Sequence, residues 1–362
     1  MSVDFHDASR APAGDAAPLF SRAAAADRRA AARLATAIDD FFLAENDRLD
    51  DRTRAAMSTL LSGAVRAIER EVAGHAARQL AGQSVPAPVV PAGASTLPRL
   101  IDSGLLRDRE LMGELLGQVR LDLLGESLLA NRAPGMQPAL LGRFSACEDG
   151  VVAAAARDYL LADSRRRDPA TARRGDLPAA LHRKLVWWVA AALRERQGAS
   201  AAHQPAIDRA LAEAAQRSLT AHDDGDRLDH AATRLAAAID ARPDELGDLL
   251  AEALEEGRAA LFVAVAAHAL RLDFAEARAL ALDPDGDRLW LALRAHGLDR
   301  ATIARIGLAL ADADPRRDLE AFADELDTIA AVPPEAARAA LAPLALHPDF
   351  RAALRALGRS AA

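Results

Sequence analysis

The stretch MSTLLSGAVRAIEREVAGHAARQL, residues 57–80, decides the fold class of this chain. Its apolar residues recur at steps of three and four over the whole stretch, which is the period of an α-helix with one buried face. Most other segments repeat this period, and none shows the alternation that a half-buried strand requires. The sequence therefore predicts an all-α protein. The apolar seam consists of Met57, Leu60, Leu61, Ala64, Val65, Ile68, Val72, Ala76 and Leu80.

The composition extends this prediction to an array of helical hairpins. Alanine makes up about a quarter of the 362 residues, whereas aromatic residues make up only 4%. Because alanine lets helices approach closely, we expect HEAT-like pairs stacked in a right-handed solenoid or a compact α-α superhelix. Five segments are predicted: a disordered tail (1–20), an N-terminal hairpin (21–82), a Pro-rich linker (83–96), HEAT-like repeats (97–200) and a C-terminal helical domain (201–362).

The net charge and the cysteine content limit the cellular compartments and the classes of binding partner that we expect for this protein. A formal net charge of -8 and a pI of about 5.6 disfavour a general nucleic-acid or anionic-membrane binder. Cys147 is the only cysteine, which excludes an intrachain disulfide and fits a reducing compartment. The longest apolar runs, residues 185–193 and 259–270, are too short to cross about 30 Å of hydrocarbon. Residues 1–19 lack the pattern of a secretory signal, so we expect a cytoplasmic protein without a membrane partner.

Three segments resemble one bacterial family. They are LDDRTRAAMSTLLSGAVRAIEREVAGHAARQLAG (49–82), LPAALHRKLVWWVAAALR (177–194) and LDPDGDRLWLALRAHGLDRATIARI (282–306). These helix patterns are similar to those of the alphaproteobacterial family called domain of unknown function 2336, over roughly residues 45–350. The resemblance implies a HEAT-like all-helical protein of an alphaproteobacterium. It implies no activity, no cofactor and no functional residue.

One group of histidines could belong to an enzyme. All-helical metal phosphohydrolases hold metal ions with a His, a His-Asp pair and a further Asp, because imidazole and carboxylate together bind an ion that activates water. His182, His222 and Asp223 are therefore the candidate ligands of an alternative, metal-dependent phosphohydrolase. The segment TAHDDGD around His222 is also typical of a solvated capping turn before a helix, and this interpretation needs no metal.

Basic residues concentrate between residues 165 and 184. Guanidinium groups gathered on a loop could bind a phosphate or an acidic partner, although a solvated loop would also explain them. Beside them, Trp187 and Trp188 point about 100° apart on a helix. We expect Trp187 to lie in the core and Trp188 to line a groove. The predicted interaction residues are Arg165, Arg166, Arg167, Arg173, Arg174 and Trp188.

Two further motifs have an ordinary helical explanation. The aspartates of residues 283–287 suggest a calcium loop, but Arg294 stands where such a loop needs a bidentate Glu, so a turn between helices is the better interpretation. Residues 289–308 could form a helix-turn-helix. Their second helix offers little for DNA beyond Arg300 and Arg305, and an ordinary helix pair explains it better.

No nucleophile elbow, phosphate-binding glycine loop or zinc-protease motif occurs in the sequence. The sequence therefore predicts a non-enzymatic helical-repeat protein that needs no cofactor and acts as an interaction or regulatory module. Its expected partner is another protein. A metal-dependent phosphohydrolase and a DNA-binding regulator remain the alternative functions. The apolar seam at residues 57–80 could also form the interface of a homodimer.

Overall fold

The computed structural model of the chain describes residues 48–81, 95–132, 139–167, 177–197 and 203–359. Within these ranges the regular elements are all helical, which confirms the predicted fold class. The chain divides into two compact units, Met1–Asp51 and Arg52–Ala362, and only residues 48–51 of the first are described. The predicted tail, the first helix of the predicted hairpin and almost all of the Pro-rich linker lie outside the described residues.

Sixteen α-helices lie in the described ranges and are numbered here in chain order. They are α1 (Asp51–Leu80), α2 (Leu97–Asp102), α3 (Arg109–Ala130), α4 (Leu140–Ser145), α5 (Gly150–Arg167), α6 (Ala179–Gln197), α7 (Gln204–Ala221), α8 (Leu228–Ile239), α9 (Pro243–Glu255), α10 (Ala259–Leu270), α11 (Phe274–Ala281), α12 (Asp287–Ala295), α13 (Arg300–Ala313), α14 (Leu319–Ala331), α15 (Pro334–Leu341) and α16 (Pro348–Arg359). None of these helices is long and apolar enough to span a membrane.

The hydrophobic core is centred on α10. Every residue from Ala259 to Ala267 is buried, as its apolar character on all sides predicts. Helices α3, α8, α9 and α11 pack around α10, and α5 packs on α8. Helices from both sides of residue 200 thus share one core. The seam of α1 is also largely buried within a single chain, with Val65 and Val72 fully covered.

A close approach of backbones joins α3 to the start of α10. Gly257 ends α9 in a left-handed conformation with φ of 66°. Its N–H donates to Leu254 O, and the next N–H, of Arg258, donates to Ala253 O, which is the Schellman pattern typical of a glycine at a helix end. A Cβ at Gly257 would overlap the Leu129 side chain and lie 3.0 Å from Gly125 O. Glycine is therefore required here by both conformation and space.

Two predictions about α5 and α6 were wrong. The basic residues that begin at position 165 were expected on a loop, but α5 continues through Arg167, so Arg165 and Arg166 stand on a helix. Trp187 was expected in the core, yet 40% of it is exposed. The buried face of α6 passes through Leu185, and Trp187 is rotated by about 200° from that residue. Trp188 is half-buried.

Candidate functional site

The structure brings two of the three predicted metal ligands together. The imidazole rings of His182 and His222 stack with centroids 4.1 Å apart and an interplanar angle of 11°. The carboxylate beside them belongs to Asp224, whose Oδ1 lies 3.1 Å from His222 Nε2. Asp223 points elsewhere, since its Oδ1 accepts the Gly225 N–H at 2.8 Å. Asp223 thus forms the predicted capping turn, and Asp224 takes the place beside the histidines.

Asp224 connects the turn at residues 222–227 to the start of α6. Its Oδ1 accepts the Ala179 N–H at 3.0 Å, which satisfies a free amide of the first helical turn. The Arg227 guanidinium, itself buried, lies 3.6 Å from the same oxygen. This arrangement seats His182, in the first turns of α6, against His222 at the end of α7. In the described structure, this group of side chains therefore joins the start of α6 to the end of α7.

The stacked rings do not present one metal site. An imidazole binds an ion at about 2.0 to 2.1 Å in the plane of its ring, so nearly parallel rings cannot share an ion without rotating. No group of three or more His, Cys, Asp or Glu suited to a metal occurs in the described ranges. Burial, and then the neighbouring His222, lower the pKa of His182 from 6.5 to about 4, which keeps it neutral at pH 7.

The predicted basic cluster is divided by the structure. Arg166 donates from Nε and Nη2 to the two Asp122 oxygens at 2.9 and 2.7 Å, and only 17% of its side chain is exposed. Arg165 is exposed. For Arg167 only the helical backbone is described, and Arg173 and Arg174 lie outside the described residues. The described part of the cluster is therefore not a uniform cationic surface.

Arg166 lines a cleft of about 370 Å³ between α3, α5 and the starts of α8 and α10. Both signs of charge occur on its walls, with Asp122 and Glu126 on α3 and Asp163 on α5. Arg258, just before α10, donates from Nη1 to Asp163 Oδ2 at 2.7 Å. The apolar part of the wall comes from Leu121, Leu129, Leu228, Ala259 and Ala260, and Tyr159 completes the lining.

A buried ion pair lies next to this cleft. Arg278 on α11 donates to both oxygens of Glu114 on α3, at 3.1 and 2.5 Å. Burial alone would raise the pKa of Glu114, but the hydrogen bond and charge of Arg278, together with the Gln118 amide, outweigh it and hold that pKa below its usual value. Sequence reasoning missed this pair because the partners are 164 positions apart.

Sequence reasoning also missed a second concavity. A groove of about 1100 Å³ runs between α8, α9, α10 and α11. Its rim is charged, through Arg234, Asp240, His268, Arg271 and Asp273. Its floor is apolar, through Leu246, Leu249, Val265, Leu272 and Phe274. The floor residues belong to three helices and to the connection after α10, so no single helix shows their pattern.

Two residues at the groove rim adopt a rare backbone conformation. Asp240 and Arg271, with φ of 43° and 55°, are the non-glycine residues with positive φ among the described residues. They end α8 and α10. Asp240 Oδ1 lies 2.8 Å from His268 Nε2, which joins the two helix ends across the rim. Left-handed conformations of such residues cost about 1 to 2 kcal/mol each and persist only where neighbouring structure imposes them.

The remaining motifs have the expected ordinary roles. Gly286, with φ of 75°, opens α12, and Arg288 pairs with Asp283, so residues 283–287 form a turn between helices. The arginines of the helix-turn-helix candidate are engaged within the chain. Arg300 pairs with Asp327, and Arg305 pairs with Glu255.

A comparison with protein-family models matches part of the chain. The family described as "Uncharacterised protein conserved in bacteria (DUF2336)" matches residues 160–342 of the 362 in the chain. This span contains the histidine stack and the helices that form the groove. Neither the search of curated proteins nor the search of solved structures finds a match. The match covers more than half of the chain and agrees with the resemblance noted in the sequence: the protein belongs to the DUF2336 family.

Proposed function

We propose that this protein is a non-catalytic, HEAT-like helical module that binds another protein in the cytoplasm. The observation that carries the proposal is the groove between α8 and α11, with its apolar floor and charged rim. Amphipathic helices of partner proteins bind grooves of this kind, with apolar residues on the floor and polar residues at the rim. The volume, about 1100 Å³, exceeds the usual 300 to 1,000 Å³ of small-molecule sites and suits a peptide segment.

The composition of the groove supports binding rather than catalysis. His268 is paired with Asp240 at the rim, and His296 is kept neutral because burial and the Arg338 guanidinium lower its pKa. The described lining of the groove contains neither a serine nor a cysteine. Binding in this groove would use apolar contact area, with the charged rim setting the orientation of the partner.

Photo-crosslinking in the native bacterium tests this proposal. A photoreactive residue replaces exposed Ala275 in the groove, and as a matched control it replaces exposed Ala191 on the solvent side of α6. We expect position 275, and not 191, to give one predominant adduct. Adding Ala269→Arg should remove that adduct because the new side chain fills the groove. Equal adducts from both positions, or none from position 275, would refute the proposal.

A further inference from the structure

The last described helix, α16, presents an apolar stripe to solvent. The stripe consists of Phe350, Leu354 and Leu357, which are 54%, 48% and 70% exposed. These residues follow each other at helical steps of four and three, so they lie on one face of α16. Together with Leu346 they make up four of the eleven exposed large apolar residues in the described part of the chain. Single exposed apolar side chains are ordinary, whereas a contiguous stripe marks a binding surface.

An ion pair holds α16 at the rim of the groove between α8 and α11. Arg351 donates to both carboxylate oxygens of Glu276, with 2.8 Å between Nη1 and Oε1, and only 11% of its side chain is exposed. Glu276 directly follows Phe274 and Ala275, which line the groove. The hydrogen bonds to Glu276, and then the charge of Asp273 on the groove rim, raise the pKa of Arg351. Helix α16 therefore lies beside its own groove, and none of the three stripe residues lines that groove.

The stripe and the groove are complementary. The floor of the groove is apolar and suits a helix with apolar residues at positions i, i+4 and i+7, which is the spacing of the stripe. The rim carries charges of both signs, including Asp240, whose side chain is 81% exposed, and the exposed Arg271. The sequence of α16 also has both signs, with Asp349 and two arginines beyond Arg351. One copy of the chain thus contains both the groove and a helix of the kind that fits it.

A two-fold arrangement would let two copies exchange these helices. Direct pairing of two stripes would cover only a few large side chains of each copy, well below the roughly 800 Å² per partner of a stable interface. Insertion of each α16 into the groove of the other copy makes two equivalent contacts and closes the assembly, because both copies use the same surface. Since α16 lies beside its own groove, the two contacts would be neighbours in one interface.

We propose that two copies of this chain associate by placing the stripe of each α16 in the α8–α11 groove of the other copy. This inference rests on the proposed function, because it uses the same groove. It adds a form of regulation to that function. Both grooves are filled in the dimer, so self-association competes with binding of the partner protein.

Sedimentation equilibrium of the full chain over a range of concentrations tests the proposal. We expect the wild type to form dimers and Leu354→Asp to weaken the dimer at least about tenfold, as for the loss of an interface anchor. Leu161→Asp is the matched control, since Leu161 is 51% exposed on α5 and lies outside both surfaces. This control should dimerise as the wild type does. A monomeric wild type, or equal dimerisation of the wild type and Leu354→Asp, overturns the proposal.

A mixing experiment separates helix exchange from other modes of pairing. Ala269→Arg fills the groove and keeps the stripe, whereas Leu354→Asp disrupts the stripe and keeps the groove. Their equimolar mixture retains one of the two contacts. We expect 1:1 complexes that are weaker than the wild-type dimer and stronger than the self-association of either variant. No association in the mixture beyond that of the separate variants, or wild-type dimerisation of Ala269→Arg alone, contradicts the exchange.

The two proposals that use this groove fail in different ways. If the purified chain is monomeric while position 275 captures another protein in the bacterium, the exchange is refuted and the proposed function stands. Dimerisation by exchange without capture of another protein has the opposite meaning. A monomeric wild type that binds vesicles of anionic phospholipid, with loss of binding in Leu354→Asp, would assign the stripe to a membrane surface and also refute the exchange.

Discussion

Replacing Gly257 by alanine tests the closest contact in the fold. The left-handed φ of 66° costs a residue with a Cβ about 1 to 2 kcal/mol. The new methyl group would also overlap Leu129 and approach Gly125 O, and overpacking of this kind costs about 1 to 3 kcal/mol. We therefore expect Gly257→Ala to lower the free energy of unfolding by about 2 to 5 kcal/mol. Urea denaturation followed by circular dichroism measures this change.

Two other glycines separate backbone strain from crowding. Gly297 has φ of 80° but no atom within 4 Å of a built Cβ, so Gly297→Ala should cost only the strain, about 1 to 2 kcal/mol. Gly113 lies exposed inside α3 with open space around it, and Gly113→Ala should stabilise the protein by about 0.5 to 1 kcal/mol. Equal losses in Gly257→Ala and Gly297→Ala would contradict the close packing of α3 against the start of α10.

Three further changes test the core and the buried charges. Leu261→Ala, at a fully buried position of α10, should cost about 2 to 5 kcal/mol in the same denaturation assay. Arg278→Met leaves Glu114 buried and unpaired and should cost about 3 to 5 kcal/mol, with recovery when Glu114→Leu is added; no recovery would contradict the pairing. Between pH 7 and 5 the unfolded chain takes up a proton at His182 near pH 6.5, whereas the folded chain does so only near pH 4. His182→Phe should therefore lose about 2 kcal/mol less stability than the wild type over this range, and an identical loss would exclude His182 as the cause.

The helices could be predicted because their signals are local. The period of apolar residues and the positions of Gly and Pro predict helices at residues 178–196 and 274–281, which agree within one residue with the observed bounds of α6 and α11. The prediction for Trp187 failed because two adjacent tryptophans carry the same hydrophobic signal, and only the packing of α7 on α6 decides which is covered. The end of α5 was missed for a related reason, since Arg166 continues the helix by pairing with Asp122, 44 positions earlier.

The sequence by itself determined the helical class, most helix ends, the capping turn at Asp223 and the family, since all of these rest on neighbours within a few positions. It also identified His182 and His222 as candidate metal ligands, but it did not indicate how the two rings contact each other. Only the tertiary structure decided that these rings stack, that Arg166 faces a cleft of mixed charge, and that four helices enclose a groove between Leu246 and Phe274. Such sites consist of side chains from helices that are distant in the sequence. Helical periodicity indicates which face of a helix is buried, but it does not indicate which other helix covers that face.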